Sequence, residues 1–151
     1  MTRIALQRVT AEHAGFRALI AELDAELRAR YGEVQAAFDA FNGVRGIETA
    51  LVLSDTTGWV ACGCFRAVDA TTVELKRMYV KPDRRGKQLA LEIIRGLEAW
   101  AVELGYARMI LEHGPLQPEA TALYTRAGFT PIPRFPPYVD MEISICLGKD
   151  L

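Results

Sequence analysis

The stretch KPDRRGKQLALEII, residues 81–94, decides how the rest of the chain is read. Three cations, Arg84, Arg85 and Lys87, crowd around Gly86, and a helical apolar rhythm starts directly after them. Amides at a helix start lack intrahelical partners and carry partial positive charge. With full charges beside them they suit an anion, a diphosphate above all. The glycine content is low for such a loop. There is no GxxxxGK[ST] and no GxGxxG, so neither a P-loop nor a dinucleotide turn is present. The residues alone leave two readings open, an anion seat and a solvated basic helix entrance.

Working outward, Leu89, Ile93, Leu97, Trp100 and Leu104 form one helical stripe between residues 87 and 104, widened by Ala90, Ile94 and Ala101. Gly105 is a natural stop. Upstream, TVELKRMYV (72–80) reads as a strand closed by Pro82-Asp83. Before it, residues 48–54 and 58–68 read as a hairpin around Asp55-Thr56-Thr57-Gly58. The N-terminal part gives a strand at 3–9, a helix capped by Thr10 and carrying Phe16, Leu19, Ile20, Leu23 and Leu27, and a weaker helix at 33–41. Downstream come a strand at 107–112 and a helix with Pro118 in its first turn, closed by Gly128. A proline-rich tail and a final strand near 139–147 follow. The order is βααβββαβαββ, a mixed α/β (α+β) domain spanning residues 1–151.

Composition narrows the function classes. The chain has 151 residues, half of them hydrophobic, which favours one domain with an ordinary core. The net charge of -1 argues against nucleic-acid or polybasic membrane binding, which need a broad positive field. Cys62, Cys64 and Cys146 make no disulfide framework, and His13 and His113 stand alone, so no metal site is expected. Cys62 and Cys64 share a strand face as small buried residues. The start, MTRIALQRV, lacks a signal-peptide apolar run, and no stretch is long enough to span a bilayer. A reduced, cytoplasmic protein is the expectation.

Two segments carry a family resemblance. Arg85-Gly86-Lys87-Gln88-Leu89-Ala90 is similar to the [RQ]-x-x-G-x-[GA] acyl-CoA loop of the GNAT N-acyltransferase superfamily. Arg85 and Ala90 match it, and Gln88 replaces the middle glycine. The lead-in ELKRMYVKPDRRGK resembles that family's fourth strand and loop. Downstream, QPEATALYTRAGF (117–129) resembles its N-x-x-A-x-x-L-Y-x-x-x-G-[FY] segment, with Gln117 in the asparagine's place. The element order agrees, so the resemblance covers nearly the whole chain.

The resemblance implies an antiparallel-rich central sheet flanked by helices, and acetyl-CoA as donor to a primary amine in a ternary complex. It places the diphosphate on the amides of residues 85–90, and the pantetheine arm along the fourth strand near Met78 and Val80. An extended arm of amides can pair with a strand whose neighbour diverges. The amide of Met78 or Tyr79 would take the carbonyl oxygen. Gln88 either crowds the phosphates, where glycine would let them approach, or donates an amide hydrogen bond to them. Tyr124 matches the family's general acid for the leaving thiolate; otherwise it is part of its helix's apolar face. Glu74 is the candidate base, with Glu112, His113 or water as alternatives; otherwise Glu74 and Lys76 form an ordinary surface ion pair. The segment PIPRFPPY (131–138) is expected to be a stiff active-site loop with Arg134, Phe135 and Tyr138 near the acceptor; Arg134 either meets a carboxylate on the acceptor or faces solvent. A homodimer is compatible with the resemblance. The rivals are a non-catalytic acyl-CoA-binding or sensing module, which would need neither Tyr124 nor a base, and a structural subunit that uses the fold for pairing.

Overall fold

A computed structural model describes residues 3–151. The elements follow in the expected order: β1 (Ala5–Val9), α1 (Ala14–Tyr31), a 3-10 turn (Gly32–Gln35) running into α2 (Ala36–Asp39), β2 (Ala50–Asp55), β3 (Gly58–Ala67), β4 (Thr72–Val80), a 3-10 turn (Pro82–Arg84), α3 (Leu89–Glu103), β5 (Arg108–His113), α4 (Pro118–Arg126), β6 (Thr130–Pro131) and β7 (Ile145–Asp150). One seven-stranded sheet has the order β1-β2-β3-β4-β5-β7-β6. Every neighbouring pair is antiparallel except β4 and β5.

Each face of the sheet buries its own apolar cluster. On one face Leu53, Phe65, Val73 and Leu111 pack on Ile93, Ile94, Leu97 and Ala101 of α3 and on Tyr124 of α4. On the other, Ala50, Val52, Cys62, Cys64 and Tyr79 pack on Phe16, Leu19 and Leu23 of α1. Burying a side chain of this size stabilises by about 1.5–3 kcal/mol each. Cys62 and Cys64 share a face as expected, and burial raises both thiols above their ordinary range, Cys64 to about 12.

Three local expectations are corrected. The cap of α1 is His13 rather than Thr10: its Nδ1 accepts from the amides of Gly15 (3.1 Å) and Phe16 (3.2 Å), while Thr10 Oγ1 reaches only the Glu12 amide. Leu104 ends the stripe of α3 as a cap residue and is 54% exposed. The last strand begins at Ile145, because residues 135–144 coil through successive turns: Tyr138 N to Phe135 O, Met141 N to Tyr138 O and Ser144 N to Met141 O.

Two features of β4 shape the centre of the molecule. Its parallel pairing with β5 covers only Thr72, Val73 and Glu74 against Arg108, Met109 and Ile110. Beyond Glu74 the strands separate, and residues 75–80 have no β5 partner. β4 also bulges against β3, where Cys62 pairs with Tyr79 but Cys64 with Lys76. The extra residue is absorbed at Arg77, whose φ is 58°. Such a bulge strengthens the local twist and re-aims the residues after it. Gly63 lies opposite, and a Cβ there would meet Met78 Sδ at 2.5 Å and Ile93 Cγ2 at 2.8 Å.

Candidate active site

The gap between β4 and β5 opens into a cleft of roughly 800 Å³, counting its solvent-open mouth. One wall is α1 and α2, with Leu23, Leu27, Tyr31 and Phe38; the other is β5 and α4, with Glu112, His113, Gln117 and Tyr124. Glu74, Lys76, Arg77 and Met78 of β4 form its floor, and Tyr138 and Ile143 reach in from the loop before β7. The structure thus brings together Tyr124, Glu74, Met78, Gln117, Glu112 and His113.

The floor is a buried ionic cluster. Glu74 is 1% exposed and Lys76 7%, so the expectation of a surface pair is wrong. Glu74 Oε1 accepts from Arg66 Nε (3.1 Å), and Oε2 from Lys76 Nζ (3.4 Å) and the Tyr138 hydroxyl (3.0 Å). Lys76 Nζ also donates to Phe41 O (2.7 Å) and the Tyr138 oxygen (3.2 Å). Charges at such depth need this degree of pairing. Glu112 is less engaged: Ser144 Oγ donates to its Oε2 (2.6 Å), and burial raises its affinity for a proton.

Tyr124 is 8% exposed on the inner face of α4. Phe129 meets its ring edge-on at 5.8 Å, and the His113 ring lies tilted at 5.9 Å. Burial first, then the Glu112 charge, pushes its hydroxyl pKa up, so it keeps its proton at neutral pH. His113 Nδ1 lies 2.9 Å from Gly114 O and Nε2 3.2 Å from Thr121 Oγ1, and burial lowers its pKa. That leaves the imidazole neutral, with both nitrogens engaged. Gln117 Oε1 accepts from the Tyr31 hydroxyl (3.1 Å) and the Gly114 amide (3.4 Å), leaving its amide NH2 as a free donor among the described contacts.

The basic loop lies at the other end of the separated part of β4. Met78 and Val80 are half-buried against the α3 cluster, whereas Tyr79 turns to the α1 side, with its hydroxyl 3.4 Å from Glu22. Arg84 is a clamp on the β2–β3 turn, bonded to Asp55 Oδ2 (2.7 Å) and Thr57 Oγ1 (2.9 Å). Thr57 and Arg84 hold the Asp55 carboxyl far below the usual range. Arg85 holds Val80 O through Nε (2.9 Å) and forks onto Glu26 of α1 at 2.9 and 3.0 Å. Sequence spacing gives no sign of this pair. Gly86, Lys87 and Gln88 are exposed, Leu89 is buried and Ala90 half-buried. Gln88 is the N-cap of α3 with φ 62° and caps nothing with its side chain. The left-handed backbone is the physical reason a glycine is expected there. Among the described residues, the amides of the first turn of α3, at Leu89 and Ala90, have no side-chain acceptor.

A family model described as the acetyltransferase (GNAT) family matches residues 13–129. The chain belongs to this family. Its fold is the mixed, mostly antiparallel sheet of GNAT acyltransferases. A crystal structure from Klebsiella pneumoniae, assigned to the acyl-CoA N-acyltransferases, superposes with a TM-score of 0.79 at 32% identity, over 100% of this chain and 98% of that one. An Azospirillum brasilense protein named IAA acetyltransferase is 34% identical over 94 residues, 61% of each chain. The chain thus spans well under the full length of the curated relatives it matches. A GNAT acetyltransferase from Elizabethkingia anophelis, solved with acetyl-CoA bound, shares the fold with a TM-score of 0.69 at 14% identity, over 98% of both chains. Among the described residues no helix is long and apolar enough to cross a membrane.

Proposed function

We propose that the protein moves an acetyl group from acetyl-CoA to a primary amine by direct transfer in a ternary complex. One observation carries this reading. β4 parts from β5 after Glu74, and the uncapped first turn of α3 stands beyond the far end of the freed edge. A linear ligand with amides along one half and a diphosphate at the other finds donors in that order. The residues therefore fit acetyl-CoA. Met78, Tyr79 and Val80 offer backbone groups to the pantetheine arm, and Gln117 its free amide NH2. Arg85, Gly86, Lys87, Gln88, Leu89 and Ala90 hold the diphosphate through main-chain amides and the two cations. Acetyl-CoA supplies an activated thioester.

The chain's own groups handle the protons. In this reading Tyr124 gives its proton to the departing thiolate, and its raised pKa keeps that proton available. A β4 amide at Met78 or Tyr79 polarises the carbonyl without any side chain. Two carboxylates line the cleft as bases for the ammonium. Three donors, two of them cationic, already occupy Glu74, whereas one neutral hydroxyl holds Glu112. We therefore assign the proton to Glu112, directly or through water, and give Glu74 the role of anchoring the floor beneath it. The chain acts as one N-acetyltransferase domain, and the cytoplasm suits its three free cysteines.

The test is an amine panel with acetyl-CoA, followed by release of free CoA thiol. Turnover with at least one primary amine, giving the N-acetyl product, supports the reading. Tight acetyl-CoA binding with no release by any amine would make the chain a binding module instead.

A further inference from the structure

The cleft also bears on what the acceptor carries besides its amine; this rests on the acyl-transfer reading above. Lys76 and Arg77 are the cations among the lining residues, and both are spent. An ammonium has three N–H donors. Those of Lys76 go to Phe41 O, Glu74 Oε2 and the Tyr138 oxygen. The Tyr138 hydroxyl gives its own proton to Glu74, so its oxygen is free to accept from Lys76. The Arg77 side chain is 3% exposed and turns to α1, donating to Ile20 O (3.2 Å) and Asp24 Oδ1 (2.6 Å). Its Nε has no partner among the described residues but is sealed from solvent, so no substrate reaches it without displacing the wall. Gln35 and Asn42 offer amide dipoles and no net charge.

The groups open to an acceptor are of another kind. Glu112 supplies a carboxylate whose single donor among the described residues is the Ser144 hydroxyl, and Leu23, Leu27, Phe38 and Ile143 supply apolar wall. An ammonium finds a counter-charge in this cleft; a carboxylate finds none, and faces Glu112 as a like charge. Desolvating a carboxylate with no cation to receive it is strongly unfavourable.

We infer that the acceptor is a primary amine on an uncharged, apolar body, and that the cleft rejects the same body when it bears a free carboxylate. Glu112 and the spent state of Lys76 set this selectivity. The reaction breaks the thioester C–S bond and forms the amide C–N bond. The ammonium gives up two protons in all: one restores the proton that Tyr124 gives to the departing thiolate, and one leaves through the base to solvent.

Three probes of one shape separate the outcomes: phenethylamine, phenylalaninamide and phenylalanine, each with saturating acetyl-CoA. The inference expects turnover of the first two, and for phenylalanine a kcat/KM lower by on the order of 100-fold. A cation added by Asn42→Lys, at a half-buried polar position on the wall, should raise the phenylalanine-to-phenethylamine ratio by about tenfold. Phenylalanine used as well as phenethylamine overturns the inference and leaves acetyl transfer standing. An unchanged ratio in Asn42→Lys overturns it too, as does turnover of none of the three while another amine is acetylated. Acetyl-CoA binding, measured separately by calorimetry, tells these failures from failure of the acyl-transfer reading itself.

Discussion

If Arg85 holds the diphosphate, as proposed, Glu26 competes for it, and removing Glu26 should tighten acetyl-CoA binding. Arg85 forks onto the Glu26 carboxylate at 2.9 and 3.0 Å, with side chains 35% and 27% exposed. A bidentate pair at that exposure is worth about 0.2–1 kcal/mol. If the diphosphate takes Arg85, that energy is lost on binding. Glu26→Gln abolishes the loss, so the dissociation constant for acetyl-CoA should fall by up to about 5-fold. The ligand-free protein should lose up to about 1 kcal/mol of stability, since the same pair ties α1 to the β4–α3 loop. Titration calorimetry of wild type, Glu26→Gln, Arg85→Ala and the double variant measures the coupling. The gain from Glu26→Gln should vanish in the Arg85→Ala background and shrink at high salt, where the wild-type pair is already screened. Equal or weaker binding by Glu26→Gln would refute the competition and remove Arg85 from the diphosphate contact.

Other expectations concern the cleft and the loop. Tyr124→Phe should lower kcat by about 100-fold or more, as expected for loss of a general acid, while leaving acetyl-CoA affinity and Tm near wild type; unchanged turnover would assign Tyr124 to packing. Glu112→Gln should lower kcat/KM for amines more than Glu74→Gln does in variants shown by circular dichroism to be folded, and the reverse order would return the base to Glu74. Because burial raises the Glu112 pKa, the folded state holds a proton that the unfolded chain has already released above the ordinary carboxylate range. Stability should therefore fall as pH rises through that window, and Glu112→Gln should flatten the slope in urea titrations. Gln88→Gly should relieve about 1 kcal/mol of left-handed strain and add about 0.5–1 kcal/mol of chain entropy to unfolding, leaving Tm close to wild type. Gln88→Ile, β-branched at the same φ, should lower it, and equal Tm values for the two would contradict the backbone assignment.

The order of elements was legible because each has its own periodicity. The six-residue shift in the start of the last strand, from 139 to Ile145, was not. Val139, Met141, Ile143 and Ile145 alternate like a strand, yet Tyr138 is bonded to Glu74 and Lys76 across the cleft, and the turns that follow it delay β7 until Ile145. The cap of α1 went to a histidine nitrogen, an acceptor outside the usual set of capping oxygens. Glu74 and Lys76 read as solvated because charges at alternating strand positions usually are; their burial depends on Tyr138, 64 residues from Glu74. Glu26 and Arg85 are 59 residues apart, and no local pattern joins them. Motif spacing located the loop at 85–90 and Tyr124. The closure of the cleft by α1, Tyr31 and Tyr138 comes from tertiary contacts alone.

The central claim is that acetyl-CoA lies along the separated edge of β4 with its diphosphate on the start of α3. Backbone amide NMR during titration with acetyl-CoA tests it directly. The account predicts that the amides of Met78, Tyr79 and Val80 and those of residues 85–90 shift together, saturably and with one dissociation constant. Saturable shifts confined to other parts of the chain, with these amides unmoved, would contradict it.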